Sequence, residues 1–142
     1  MEVYDKYEVI IGLEVHTQLL TKTKAYSADI AEYGGSPNTF VSPVTLGHPG
    51  TLPVFNQKCL ELGIRLGLAT HCSITRYNEF ARKNYFYSDL PKGYQITQDK
   101  KPVCVGGGLE IQLPGYRKYI RLHHIHMEED AGKSIHDLDP EY

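Results

Sequence analysis

Only one stretch of this chain repeats apolar residues at helical spacing, and that scarcity constrains the fold more than any other feature. Leu60, Ile64 and Leu68 recur at i, i+4, Leu66 widens the stripe, and Asn56 stands where a capping side chain is needed, so residues 57–70 are predicted to be a helix lying on a sheet. Gly63 and Gly67 within it cost on the order of 1 kcal/mol each in helix propensity against Ala. They are expected to permit close packing against strands. Parallel strands need crossovers, usually helical, and a single helix supplies few of them. The expected class is therefore α+β: an antiparallel sheet with few helices, in one domain of 142 residues.

The strand-like segments follow in order. From Tyr7 to Leu19, Val9, Ile11, Leu13 and Val15 alternate with Ile10, Gly12, Glu14, His16 and Gln18, the period of a strand whose second face turns polar halfway along. Thr21 to Pro53 holds small, polar and turn residues and reads mostly as loop; a loop this long is unusual unless it is functional or pinned. Residues 73–88 return to β-like chemistry, Asp89-Leu90-Pro91-Lys92-Gly93 reads as a turn, and Tyr94 to Gln98 as the returning strand. After Gly106-Gly107-Gly108, Leu109, Ile111 and Leu113 alternate up to Pro114-Gly115, and Tyr119 to Met127 is predicted as the second arm of a hairpin. No internal repeat or low-complexity segment interrupts this order.

Fifteen basic against seventeen acidic residues give a formal charge of −2, so no global positive field marks a nucleic-acid binder and any such contact must be local. The opening residues carry no basic segment leading into an apolar core, and the longest apolar stretches fall far short of a membrane span. A cytoplasmic protein with no membrane association is expected. Cys59, Cys72 and Cys104 are odd in number, widely spaced and form no Cys-x-x-Cys pair, so they are expected as small core residues.

Three constellations can carry chemistry. Glu14 and His16 share one face of their predicted strand, with Cα atoms roughly 6.5 Å apart. His124, His126 and Glu128 share a face of the hairpin's second arm, which runs into Glu128-Glu129-Asp130. Converging carboxylates with a water-rich remainder are what Mg²⁺ requires when it carries phosphates, because it keeps waters and takes few protein ligands. Solvated strand faces and turns explain the same residues, and spacing alone leaves the two readings open. Strict alternation also places Glu129 opposite Glu128, so both ligate one ion only if the strand ends near Met127. In Arg82-Lys83-Asn84-Tyr85-Phe86-Tyr87, cations interleave with aromatics, a pattern that holds phosphate and stacks a base but also describes an ordinary amphipathic strand. The glycine triplet lacks the Lys-Ser/Thr of a phosphate loop and opens no predicted helix. No Ser-His-Asp order or nucleophile elbow is present.

Four ordered blocks carry a resemblance. They are Ile10 to Leu19 (IIGLEVHTQL), Pro37-Asn38-Thr39 with Leu46-Gly47-His48-Pro49-Gly50, Arg82 to Gln98 (RKNYFYSDLPKGYQITQ), and His126 to Lys133 (HMEEDAGK). Together they resemble the B subunit of the tRNA-dependent amidotransferases and its archaeal E-subunit relatives. The resemblance implies the N-terminal portion of a cradle-shaped catalytic domain, related in fold to glutamine synthetase, across residues 1–142. The helical and tail regions that the family uses to grip tRNA are expected to be absent.

It also implies an activity. The family's B subunit uses ATP and Mg²⁺ to phosphorylate the side-chain carboxylate of misacylated Glu-tRNA(Gln) or Asp-tRNA(Asn). Ammonia from a glutaminase A subunit then displaces the phosphate, and a small C subunit ties the two together. By position, Glu14, His16, Glu128 and Glu129 match the family's metal-site and catalytic residues. Arg82, Lys83, Lys92 and Lys133 are candidates for phosphate or tRNA-end contacts, and Tyr85 and Tyr87 for stacking. Many members carry a four-cysteine zinc knuckle in the long loop, where this chain has Ser27, Asp29, Ser42 and Thr45; hard oxygen groups do not make a thiolate zinc site. No zinc is expected, and the loop should be held by its own packing and by its neighbours. The rival readings are a tRNA-end binding module without chemistry and a domain that serves subunit assembly.

Overall fold

In the computed structural model, residues 3–88 and 92–130 are described. A short 3-10 turn, Val3–Lys6, opens the chain, and the predicted helix forms as α1, Gln57–Ala69. Among the described residues seven short strands follow: β1 Ser73–Ile74, β2 Ala81–Asn84, β3 Tyr94–Thr97, β4 Cys104–Val105, β5 Gly108–Leu113, β6 Tyr116–Arg121 and β7 His124–Ile125. Every pairing is antiparallel. The class is α+β, as expected.

α1 begins where Asn56 accepts a hydrogen bond from the Lys58 amide (2.8 Å), satisfying one of the unpaired donors of the first turn. The Asn56 amide group also donates to the hydroxyl of Thr23 (2.8 Å), tying the cap to the long loop. The buried face of α1 is Cys59, Gly63 and Gly67, spaced four apart. A β-carbon on Gly63 would stand 2.9 Å from Met127 Sδ, and one on Gly67 would run into Cys104 Sγ and come within 3.1 Å of Ile74. The two glycines thus give up helix propensity so that the helix can settle onto β1, β4 and Met127.

That contact is the core. Val103 and Cys104 are fully buried, Cys59, Cys72 and Met127 nearly so, and Leu60, Ile64, Ile74 and Ile125 pack around them. All three cysteines are buried free thiols, matching the expectation from their spacing. Cys72 Sγ reaches the Gly106 carbonyl at 2.8 Å, and Gly107, at φ +83°, lies against Thr70 and Cys72 so closely that any side chain there would strike their backbone.

The single predicted sheet is three small ones, β1-β4-β7, β2-β3 and β5-β6. The last hairpin closes Leu113 onto Tyr116, but its second arm does not run through to Met127. It stops at Arg121, and His124–Ile125 departs to pair with Cys104–Val105. The stretch 73–88 yields only two short strands, and residues 89–91 of the expected turn lie outside the described residues.

Tyr7 to Leu19 departs furthest from expectation: it forms no strand and joins no sheet among the described residues. Val9, Ile10, Ile11, Leu13 and Val15 are 79–86% exposed. Alternation records that two faces differ, but a strand exists only where a lateral partner supplies its hydrogen bonds.

The long loop is pinned, one of the two readings that its length left open. Thr23 bridges Ile30, Lys24 Nζ donates to the Phe40 carbonyl (2.5 Å), and Tyr26 packs with Phe55 and Phe80 at ring separations of 5.5 and 5.3 Å. No helix among the described residues is long and apolar enough to cross a membrane.

Candidate functional site

Gln95, Ile96 and Thr97 of β3 and Gln98 just after it are buried without alternation. Both edges of the strand are occupied. β2 pairs along one, Arg82 opposite Ile96 and Ala81 opposite Thr97, while the segment 127–129 runs along the other. On that second edge the Glu129 amide donates to the Ile96 carbonyl (2.9 Å), and the Ile96 amide donates to Glu129 Oε2 (3.2 Å), so a side chain takes an acceptor place that a neighbouring strand would fill. Gln95 Nε2 donates to the Glu129 carbonyl (2.6 Å), and Gln98 Oε1 accepts from the amides of Met127 (3.0 Å) and Val103 (3.1 Å). Buried polar side chains, each satisfied, thereby fix the backbone that presents the two glutamates.

The glutamates diverge. Glu128 Oε2 accepts from Thr97 Oγ1 (2.8 Å) and has His126 Nε2 3.5 Å away. Glu129 Oε1 pairs with Lys92, whose side chain is 4% exposed. β7 itself ends at Ile125, two residues before Met127, and the two carboxylates that follow engage different groups. Upstream, the rings of His124 and His126 lie 5.2 Å apart, and His123 Nδ1 is 2.7 Å from His124 Nδ1. Burial and then the neighbouring imidazoles hold His124 below its ordinary value, while Glu14 and Asp99 pull the other way.

The N-terminal segment carries the other candidate pair. Glu14 Oε1 and His16 Nε2 are 3.7 Å apart and largely exposed. Gln18 Nε2 donates to Asp130 Oδ2 (2.9 Å), joining the two segments across 112 residues. The structure therefore makes two pairs, Glu14 with His16 and His126 with Glu128. Among the described residues, no three His, Cys, Asp or Glu side chains close into a ligand set.

The cationic and aromatic candidates separate as well. Arg82 reaches diagonally across the β2-β3 ladder to stand 4.7 Å from the Tyr94 ring, with Lys92 Nζ 4.9 Å from the same ring. Lys83 is exposed, and Tyr85 and Tyr87 hold their rings 5.0 Å apart. Lys133 lies outside the described residues. Beside Arg82, a cleft of about 250 Å³ is lined by Tyr26, Phe55, Phe80 and Ile96. The Tyr26 hydroxyl is buried without a hydrogen-bond partner among the described residues, and burial, reinforced by Glu129, Cys59 and Glu128, keeps it protonated far above neutral pH.

Ser27, Asp29, Ser42 and Thr45 converge. Asp29 Oδ2 accepts from the Ser42 amide and hydroxyl, each at 2.9 Å, and from the Thr45 hydroxyl, while Ser27 and Thr45 share a hydrogen bond of 3.0 Å. Burial raises the Asp29 pKa, but the hydroxyls of Thr45, Ser42 and Ser27 and the Ser42 amide outweigh it, leaving the carboxyl below its ordinary value.

Sequence patterns do not single out Thr97, Gln95, Gln98 or Tyr94. The segment YQITQ reads only as a strand, and nothing in its spacing tells a buried glutamine from a solvated one.

The sequence profile of the GatB/GatE catalytic domain matches residues 9–142. The chain is 57% identical over 132 residues to the B subunit of an aspartyl/glutamyl-tRNA(Asn/Gln) amidotransferase from Anaeromyxobacter sp. (strain Fw109-5), covering 93% of this chain and 27% of that protein. It is 59% identical over 131 residues to the B subunit of the like-named enzyme from Geobacter sp. (strain M21), covering 92% and 27%. With the Salinibacter ruber B subunit the identity is 53% over 143 residues, 94% of this chain and 28% of that protein. The chain thus spans a little over a quarter of the length of these relatives. With residues 9–142 matched, it belongs to the GatB/GatE catalytic-domain family.

Proposed function

We propose that this chain contributes the front part of the ATP- and Mg²⁺-dependent half of a tRNA-dependent amidotransferase, acting on misacylated Glu-tRNA(Gln), Asp-tRNA(Asn) or both. The observation that carries the reading is the approach of the Glu14-His16 segment to the His124–Asp130 segment, made through Gln18 and Asp130, in a chain of this family. On this reading the domain is the cradle related to glutamine synthetase, the protein works in the cytoplasm beside a glutaminase A subunit and a C subunit, and no zinc is used.

The donor chemistry fits Mg²⁺. A cation that keeps most of its waters takes one or two carboxylates, and Glu14 and Glu128 supply them, with His16 and Glu129 beside them. When bound, the cation neutralises charge on the phosphates during transfer. The chain's own residues do the rest. Glu14 and Glu128 would hold the cation, while Glu129 is anchored by Lys92 and the Ile96 amide. Arg82, Lys83 and Lys133 offer positive charge to the phosphates or the tRNA end, and Tyr85 and Tyr87 offer faces for stacking. Phosphorylating the substrate carboxylate turns a poor acyl donor into one with a leaving group, which ammonia then displaces.

In the full-length protein assembled with its partner subunits, Glu14→Ala and Glu128→Ala should each abolish ATP-dependent amidation of misacylated tRNA while glutamine hydrolysis persists. Normal amidation by both variants would remove the metal-site assignment.

A further inference from the structure

We propose that Thr97 is a positioning residue for this site: its hydroxyl fixes one oxygen of Glu128 and so turns the other toward the incoming cation. The inference rests on the reading of Glu128 as a ligand. Thr97 is 8% exposed and donates to Glu128 Oε2 at 2.8 Å. His126 Nε2 faces that same oxygen at 3.5 Å. Among the described residues no hydrogen bond reaches Oε1. A carboxylate with one oxygen engaged and one open is set for monodentate binding, and its orientation is decided by the group that holds the engaged oxygen.

Thr97 has little freedom to hold it differently. It stands opposite Ala81 in the β2-β3 ladder, and the adjacent Ile96 is locked to Glu129 through both its amide and its carbonyl. The flanking glutamines do a different job: Gln95 and Gln98 bind backbone groups of residues 127 and 129, and Thr97 alone of the three touches the Glu128 carboxylate. Loss of a glutamine contact loosens the segment as a whole. Loss of the Thr97 hydroxyl leaves the segment in place and frees the carboxylate to rotate.

The test uses the assembled enzyme and reads the Mg²⁺ dependence of ATP-dependent amidation. Thr97→Val keeps the shape of the side chain and deletes the donor; it should raise the Mg²⁺ concentration for half-maximal activity roughly 10- to 100-fold. The melting temperature should change little. Thr97→Ser retains the donor and should bring the Mg²⁺ requirement back close to that of the parent. Unchanged Mg²⁺ dependence in Thr97→Val overturns the proposal, as does a Thr97→Ser variant as impaired as Thr97→Val, which would make the effect one of packing. Glu128→Ala, measured in parallel, tests the underlying reading separately: normal amidation there removes the ligand role itself.

Discussion

Lys92 and Glu129 form an ion pair in which the lysine side chain is 4% exposed and the carboxylate 16%, with the same ammonium 4.9 Å from the Tyr94 ring. A lysine that sequence reasoning offers to phosphate is thus engaged inside the protein. It joins the residues just before β3 to the acidic run at 128–130 and closes that side of the strand.

Removing one member of such a pair leaves the other charge buried without its partner, which costs more than the pair itself contributes. Lys92→Met should therefore destabilise the protein by roughly 3 to 5 kcal/mol, read as a fall in the urea midpoint. Adding Glu129→Leu to Lys92→Met should recover a large part of that loss, because the uncompensated charge is gone. Strict additivity of the two substitutions would show that the charges do not act as a pair.

The contrast between Lys92 and Arg82 shows what is legible in the sequence. The cation-aromatic alternation in Arg82 to Tyr87 announces a strand, and Ala81–Asn84 is one. The helix, its cap at Asn56, its two packing glycines and the buried cysteines are equally readable, because each depends on neighbours at fixed spacing along the chain. What pairs with what is not. Thr97 meets Glu128 across 31 residues and Gln18 meets Asp130 across 112, and no local pattern encodes either encounter. The same limit explains Tyr7 to Leu19, where the period of a strand is present and a partner strand among the described residues is not. For Glu128 and Glu129, spacing poses the question whether the strand ends near Met127. It gives no sign that the two carboxylates are held by different groups.

Asp29 supplies a prediction with a sign. Its carboxyl lies below its ordinary value because hydroxyls and an amide hydrogen-bond the charged form. A group whose folded pKa is depressed adds stability above its unfolded value, about 3.9 for Asp, and loses it as pH falls through the folded value. Hydrogen-exchange protection of the amides around Ser42 should hold from neutral pH down to about pH 4 and fall only below that. Asp29→Ala should remove this protection already at pH 7, while the helix amides of Gln57–Ala69 keep theirs. Equal loss in loop and helix would mean that Asp29 supports the whole core and not the loop alone.

Whether the Glu14-His16 pair and the acidic run at 128–130 make up one Mg²⁺-dependent nucleotide site is decided by calorimetry. ATP is titrated into the full-length protein with and without Mg²⁺, and again into Glu14→Ala. Binding should require the cation and be lost or greatly weakened in Glu14→Ala. Mg²⁺-dependent binding of parental strength in Glu14→Ala would refute a shared site.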